Sequence, residues 1–184
     1  AFPFLGGTKA GLKRLEQYFW KSKRLSFYKN TRNGLLGTDY SSKFSPWLAN
    51  GSLSPKTIYW EIKRYEKEIQ KNQSTYWLIF ELIWRDYFKY ISLKHGNKIF
   101  KIGGILERDY LWSSDLERFR QWADGLTPEP FVNANMIELK HSGWMSNRGR
   151  QNVASYFAKE MKMDWRIGAA YFESLLLDYD VHSN

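Results

Sequence analysis

The apolar residues of this chain recur every three or four positions, which is the period of an amphipathic helix. One such stripe follows Ser54-Pro55, a pair that suits the cap and the first turn of a helix. The stripe consists of Ile58, Ile62, Tyr65 and Ile69. Alternating apolar and polar residues between hairpin turns are nearly absent from the chain. The pattern therefore predicts an all-α fold.

Further helices follow from the same period. Gly6-Gly7 precedes an early helix, and Ser114 with Glu117 has the spacing of a capping box for a helix that ends before Gly125. The segment 76–90 is dense in apolar residues, so we predict a mostly buried helix there. The remaining helices are predicted over 133–141, 149–161 and 165–177, and loops over 30–44, 95–104 and 125–130.

Composition limits the class of protein. The 184 residues fit one domain, with 43% hydrophobic and 26% charged residues, which argues against a disordered tail or a membrane protein. No apolar run approaches the roughly 20 residues that cross a bilayer, so neither a transmembrane helix nor a secretory signal is expected. The chain has no cysteine, which excludes disulfides and thiolate metal sites. The lack of cysteine is compatible with a cytoplasmic protein of bacterial type, and for a protein of a eukaryotic organelle the location stays open.

The charge is uneven along the chain. Lys and Arg number 28 against 19 Asp and Glu, and aromatic residues make up 18% of the chain. In the first 50 residues only Glu16 and Asp39 are acidic. The basic residues of that segment are Lys9, Lys13, Arg14, Lys21, Lys23, Arg24, Lys29, Arg32 and Lys43. This excess indicates either a solvated face or a surface that binds the phosphates of a nucleic acid or nucleotide.

Several common catalytic devices are missing from the sequence. Neither Gly6-Gly7 nor Gly103-Gly104 has the flanking spacing of a dinucleotide or P-loop fingerprint. His95, His141 and His182 stand singly and lack the spacing of zinc ligands, so no metal site is expected. A serine nucleophile elbow is also absent.

Three polar constellations remain. Glu81, Trp84 and Arg85 share one face of the dense helix, where they either form a buried ion pair between helices or meet a polar ligand. Residues 144–152 are a polar cluster that either caps helices or grips a phosphate. Asp178 and Asp180 follow an apolar helix, at the end that disfavours carboxylates, so a cation such as Arg150 is expected to compensate them.

Four motifs, taken in order, resemble the flavin-binding helical domain of the cryptochrome/photolyase family, and most closely its DASH class. They are GTDYSSKFSPWLA at 37–49, FELIWRDYF at 80–88, SGWMSNRGRQNVAS at 142–155 and LDYDVHSN at 177–184. The resemblance covers nearly the whole chain. It implies an FAD cofactor and a partial FAD-binding domain over 1–184.

The resemblance also implies which residues bind FAD. Those that match the holders of the flavin phosphates are Tyr28, Ser41, Ser42, Lys43, Phe44 and Ser45. Those that match the lining of the folded FAD are Arg85, Trp144, Asn147 and Arg150. Asp178 and Asp180 match acids near the flavin ring and its ribityl and adenosine parts, and Asn184 matches the residue beside flavin N5.

The family's reaction is the blue-light-driven splitting of cyclobutane pyrimidine dimers, in the DASH class in single-stranded DNA. The resemblance implies that the flipped dimer meets Glu81, Trp84, Asn147, Arg148 and Gln151, and that Trp165 belongs to the tryptophan relay that reduces the flavin. Trp84 can stack on a base while Glu81 bonds its edge, as base-flipping enzymes require. The implied activity is that of a deoxyribodipyrimidine photo-lyase, a DNA repair flavoprotein.

The sequence departs from the family in three respects. Asn133 stands where the family usually has aspartate, and the histidine pair of the (6-4) class is missing. The family normally has an α/β antenna domain before these motifs and several helices after them, so we expect the isolated chain to bind FAD weakly or not at all, to be inactive and to self-associate. The antenna chromophore is not implied. Alternatives are a non-catalytic photoreceptor on the same scaffold and a flavin-free, basic nucleic-acid-binding module.

Overall fold

A computed structural model describes residues 2–183 of the chain. The described residues form nine α-helices, and their only β feature is one isolated bridge between Ser113 and Met163. The helices are α1 Thr8–Glu16, α2 Tyr28–Thr31, α3 Ser45–Ala49, α4 Pro55–Glu68, α5 Gln73–His95, α6 Leu116–Ala123, α7 Pro130–Ser142, α8 Asn147–Ser155 and α9 Trp165–Leu175. The predicted all-α class is confirmed.

Four short turns complete the helical elements. The π-helical turns Gln17–Lys21 and Tyr156–Glu160 continue α1 and α8, and the 3-10 turns are Arg24–Phe27 and Gly96–Phe100. No helix within residues 2–183 is both long and apolar enough to cross a membrane. By contact, the described chain divides into an N-terminal unit, Pro3–Lys89 with Asp180–Ser183, and a C-terminal unit, Tyr90–Tyr179 with Phe2.

The core of the N-terminal unit forms where the apolar stripes of α1 and α4 are buried. Ser54 caps α4 by accepting a hydrogen bond from the Lys56 amide at 3.2 Å, as the sequence predicts. Ile58, Ile62 and Tyr65 are fully buried. The inclusion of Ile69 in that stripe is wrong, because α4 ends at Glu68 and Ile69 is exposed.

Helix α5 is longer and more accessible than predicted. Asn72 begins it by accepting hydrogen bonds from the amides of Ser74 and Thr75. Within α5 the buried residues are Ser74, Thr75 and Leu78, so the prediction of a mostly buried helix over 76–90 is wrong. The later aromatic rings contact one another instead of entering a core. Trp84, for example, stacks on Phe88 with 5.5 Å between ring centroids.

The C-terminal unit is built from α6 to α9. Its core includes Trp122 and Phe157, whose ring centroids lie 4.4 Å apart. Helix α6 is capped by Asp115, which accepts from the Glu117 amide at 2.9 Å, so the predicted Ser114 capping box is wrong. Asp115 takes the cap because its side-chain oxygen reaches the amides of the second and third helical residues. The other predicted helices, over 133–141, 149–161 and 165–177, are present with shifted ends.

Candidate functional site

The serine-rich segment, residues 38–45, lies in the N-terminal unit; residues 38–44 have no helix or strand, and Ser45 begins α3. Ser42 and Lys43 are buried, while Ser41 and Ser45 are half-buried. Within the described part of the chain, the hydroxyls of Ser41, Ser42 and Ser45 make no hydrogen bond. These three donors are therefore available to a ligand.

Lys43 adopts a left-handed backbone conformation, with φ of 56°. Its ammonium group lies 4.0 Å from the centroid of the Tyr40 ring and donates a hydrogen bond to the Tyr40 hydroxyl at 2.8 Å. The cation of Lys43 is thus held within the segment that carries the serines.

Tyr28 and Phe44 are buried in the core of the N-terminal unit. Burial raises the pKa of the Tyr28 hydroxyl well above its ordinary value, and the nearby Glu81 carboxylate raises it further. The phenol therefore stays neutral at physiological pH and can donate a hydrogen bond. Phe44 packs edge-on against Phe19 with 5.9 Å between ring centroids, so its side chain anchors the segment to the core.

Arg85 and Asp180 form an ion pair in the N-terminal unit. Arg85 Nη2 donates to Asp180 Oδ2 at 2.9 Å, and the two side chains are 25% and 12% exposed. Asp180 Oδ1 also lies 2.9 Å from His182 Nδ1, so one carboxylate has two basic side chains beside it. No pattern in the sequence predicted that a histidine lies beside Asp180.

Glu81 pairs with Arg32 rather than with Arg85. Arg32 Nη1 lies 2.5 Å from Glu81 Oε1, which also accepts from Trp77 Nε1 at 3.1 Å. The ion pair links α5 to the segment after α2, as expected for a pair that joins two elements. Trp84, one turn along α5, is 41% exposed. An accessible indole therefore lies one helical turn from a carboxylate whose position is fixed.

In the C-terminal unit, Arg150 compensates Asp178 as the sequence predicts. Arg150 Nη2 donates to both carboxylate oxygens of Asp178, at 2.8 and 2.9 Å, and its Nε donates to the Met145 carbonyl at 3.0 Å. The Asp178 side chain is 1% exposed and that of Arg150 15%. The Arg150 guanidinium also lies 5.5 Å from the ring centroid of Trp144, which is buried.

The other predicted residues of this unit lie in or near α8 and α9. Asn147, Arg148 and Gln151 are exposed on α8, and Arg148 donates to Gln151 at 3.2 Å. Trp165 is the first residue of α9 and donates from its indole to the Ile102 carbonyl at 3.0 Å. Asn184 lies outside the described residues.

Asn133, the departure from the family pattern, has a local role. Its side-chain oxygen accepts from the amide and the hydroxyl of Thr127, at 2.9 and 2.6 Å, and its amide donates to the Thr127 carbonyl. An aspartate could not make this last bond, because an ionised carboxylate is only an acceptor. Asn133 therefore closes the turn before α7.

The sequence placed Arg14 and Arg32 only among the basic residues of the first 50 positions and did not predict their contacts. Arg14 is 3% exposed and bonds the serine-rich segment, and Arg32 bonds Glu81. A signal for Arg14 exists in the sequence, since it stands three residues after Gly11 and four before Tyr18, on the buried face of α1. A cation at a core-facing position must have partners. Within residues 2–183, no cluster of three His, Cys, Asp or Glu could hold a metal ion.

Comparison with known proteins decides the family. The model of the FAD binding domain of DNA photolyase matches residues 77–184, more than half of the chain. The chain belongs to the photolyase and cryptochrome family. Cryptochrome DASH of Synechocystis is 59% identical over 181 residues, which are 98% of this chain and 37% of that protein.

Solved structures of the photolyase and cryptochrome family share the fold. The crystal structure of a Synechocystis cryptochrome matches with a TM-score of 0.98 and 58% identity, over 99% of this chain and 38% of that one. A class III photolyase from Agrobacterium tumefaciens matches with a TM-score of 0.88 and 28% identity, over 98% and 37%. The chain thus spans less than two fifths of the length of these relatives.

Proposed function

We propose that this chain, within a longer protein, forms part of an FAD site that drives the light-dependent splitting of cyclobutane pyrimidine dimers in single-stranded DNA. The observation that carries the proposal is the serine-rich segment, with three unengaged hydroxyls beside a buried lysine, in a chain whose residues 77–184 match an FAD-binding domain. The relatives of the DASH class support the choice of reaction.

The residues present fit FAD. A diphosphate needs hydrogen-bond donors and positive charge, and Ser41, Ser42, Ser45, Lys43 and the neutral hydroxyl of Tyr28 are groups of that kind. When bound, FAD supplies the light absorption and the electron that splits the dimer. This chain's own residues hold the cofactor, keep water away and fix its charge environment.

The two ion pairs fit the same role. Arg85 with Asp180, and Arg150 with Asp178, are poorly accessible pairs in which a guanidinium compensates each carboxylate. A polar ligand beside either pair would therefore not meet an uncompensated charge. In this proposal Asn184 acts near flavin N5, and Trp165 carries electrons toward the flavin.

The test of flavin binding uses a longer protein that contains these 184 residues, beside the 184-residue chain alone. We expect the longer protein to retain FAD after unbound flavin is removed, and the chain alone to retain little, since preorganisation of a site strongly affects affinity. The measurement is the flavin absorbance per mole of purified protein, compared between the two proteins. No retained flavin in the longer protein would overturn the proposal and favour a flavin-free nucleic-acid-binding module.

DNA recognition is proposed to depend on α5 and α8. Trp84 supplies an accessible indole for stacking, Glu81 supplies a fixed acceptor, and Asn147, Arg148 and Gln151 are accessible polar groups. Of the basic residues in the first 50 positions, Arg14 and Lys43 are buried, so they do not belong to a DNA-binding surface. The salt dependence of DNA binding should therefore come from Arg148 and from the other basic residues of the first 50 positions.

We expect Trp84→Ala to weaken the binding of dimer-containing single-stranded DNA by about 1–3 kcal/mol, because stacking on the flipped bases is lost. The binding of undamaged DNA should weaken much less, because the phosphate contacts remain. Trp60→Ala is the matched control, since Trp60 is an exposed tryptophan on α4. Equal losses on both DNAs would contradict the role of Trp84. A wild-type protein that retains FAD but repairs no dimers under blue light would instead be a photoreceptor.

A further inference from the structure

The serine-rich segment has many polar backbone groups and little regular structure of its own. Residues 32–44 contain neither helix nor strand, yet Ser42, Lys43 and Phe44 are buried. Buried backbone carbonyls need hydrogen-bond partners, and in this segment a helix or sheet does not supply them. The conformation of the segment must therefore be fixed by side chains from elsewhere.

Arg14 donates four hydrogen bonds to this segment from α1, three of them to backbone carbonyls. Its Nε donates to the Ser42 carbonyl at 3.0 Å, and its Nη2 donates to the carbonyls of Thr38 and Ser41 at 2.9 and 3.1 Å. Its Nη1 donates to Asp39 Oδ1 at 2.8 Å. One guanidinium thus binds four acceptors within five consecutive residues. A lysine ammonium, being a compact charge, has no such rigid fork.

Two aromatic rings hold the guanidinium of Arg14 in place. Its Cζ atom lies 4.8 Å from the ring centroid of Phe4 and 4.9 Å from that of Tyr18. Cations over aromatic faces at this distance are attracted to them, more strongly when water is excluded. Burial raises the pKa of Tyr18, so this ring stays uncharged near neutral pH.

The direction of the bonded carbonyls determines where the next amides point. All peptide bonds of the described chain are trans, so the N–H after each carbonyl points to the opposite side. Because the carbonyls of Ser41 and Ser42 point at Arg14, the amides of Ser42 and Lys43 point away from it. The Ser42 amide makes no hydrogen bond within residues 2–183. Successive amides near a left-handed residue, here Lys43, are a known anion-binding arrangement.

We infer that Arg14 is a positioning residue that orients the backbone of residues 38–43 so that its amides and serine hydroxyls bind the flavin diphosphate. The inference rests on the proposed function. Arg14 occupies the carbonyl oxygens, whose partial negative charge would repel phosphate, and leaves the Ser42 amide and the serine hydroxyls for the ligand. The cation itself need not contact the cofactor.

The test compares Arg14→Met, Arg14→Lys and wild type in the longer protein. Riboflavin has the same ring as FAD but no phosphate, so it separates diphosphate binding from general damage to the site. We expect Arg14→Met to lower the affinity for FAD at least about tenfold, because charge-assisted hydrogen bonds are lost. The affinity for riboflavin should stay within about twofold of the wild-type value. Arg14→Lys should restore thermal stability more than FAD affinity, because it keeps the charge but not the fork.

Hydrogen exchange with and without saturating FAD provides a second readout. FAD should slow exchange of the Ser42 amide in wild type, and this protection should be at least about tenfold smaller in Arg14→Met, while the amides in α4 should keep their wild-type rates. Arg120→Met is the control, because Arg120 is exposed and its only ion pair among the described residues is a loose 3.9 Å contact with Glu117. It should change neither exchange nor FAD affinity.

The outcomes separate the inference from the proposed function. Equal loss of FAD and riboflavin affinity in Arg14→Met, or unchanged FAD affinity, would overturn the positioning role while wild type still binds FAD. A wild-type protein that binds neither ligand would overturn the proposed function, and the inference with it.

Discussion

The two units hold their predicted flavin residues by different means. In the N-terminal unit, Ser41 and Ser42 lie in a segment without regular structure, and the side chain of Arg14 binds the carbonyls of both. In the C-terminal unit, Asn147 and Arg150 lie on α8, which Ser146 begins by accepting a hydrogen bond from the Gly149 amide at 3.0 Å. A helix satisfies its own backbone, whereas a loop depends on distant side chains.

The two arginine–aspartate pairs show the same contrast. Arg150 is fixed by three hydrogen bonds to Asp178 and the Met145 carbonyl, and Asp178 is almost fully buried. Arg85 donates to Asp180 through one nitrogen and is more exposed. Burial makes a pair rigid but also makes the loss of one partner costly. The C-terminal pair should therefore matter more for folding than the N-terminal pair.

The largest effect is expected from Arg150→Met. The substitution leaves the Asp178 carboxylate buried without Arg150, so the free energy of unfolding should fall by about 3–5 kcal/mol. Chemical denaturation without flavin measures this free energy. Arg85→Met is the matched comparison and should cost about 1–2 kcal/mol, since Asp180 keeps His182 and partial access to water. Equal losses would contradict the distinction between the pairs.

Gly149→Ala should have the next largest effect. A Cβ atom at Gly149 would collide with Asn135 Oδ1 and approach Met145 Cγ at 2.9 Å. Asn135 is held by its bond to the Phe131 carbonyl at 2.8 Å, so it cannot move freely. We expect a loss of about 1–3 kcal/mol in the free energy of unfolding, even though alanine favours helices.

Gly6→Ala serves as the control for this substitution, because a Cβ atom there meets nothing within 4 Å and its φ is not left-handed. It should change the free energy of unfolding by less than about 0.5 kcal/mol. A stabilised Gly149→Ala protein would show that α7 and α8 can move apart, and that helix-borne residues are less rigidly held than we argue.

The smallest effect is expected from Asp164→Asn. Asp164 caps α9 and bonds the Arg166 side chain, at 2.7 Å for the shortest contact. These bonds hold the pKa of Asp164 below its ordinary value. Asparagine keeps the cap but loses the charge, so we expect a loss of about 1 kcal/mol at pH 7.

The pH dependence of this loss tests its electrostatic origin. A carboxyl whose pKa is lower in the folded protein adds stability above its unfolded pKa, and this stability disappears as the pH falls through the folded value. The difference between wild type and Asp164→Asn, followed by thermal unfolding, should therefore shrink below about pH 4. A difference that is constant from pH 7 to pH 3 would point to packing instead.

Local patterns in the sequence determined the helices. The period of apolar residues predicted α1, α4 and α6 to α9, because burying one face of a helix requires that spacing. Caps were predicted less well, since Ser114 and Asp115 are both good caps and only their geometry chooses between them. The exposure of the aromatic rings of α5 was not predicted, because a segment rich in apolar residues does not reveal whether another element packs against it.

For the candidate site, the sequence determined which residue types are present and, through four long motifs, their family. It also indicated that Asp178 needs a cation, from its unfavourable place after a helix. The tertiary structure alone decided that Glu81 pairs with Arg32, that Asp180 pairs with Arg85 and His182, and that Arg14 holds the serine-rich segment. These partners lie up to 95 positions apart, and their contact depends on how the whole chain packs rather than on any local period.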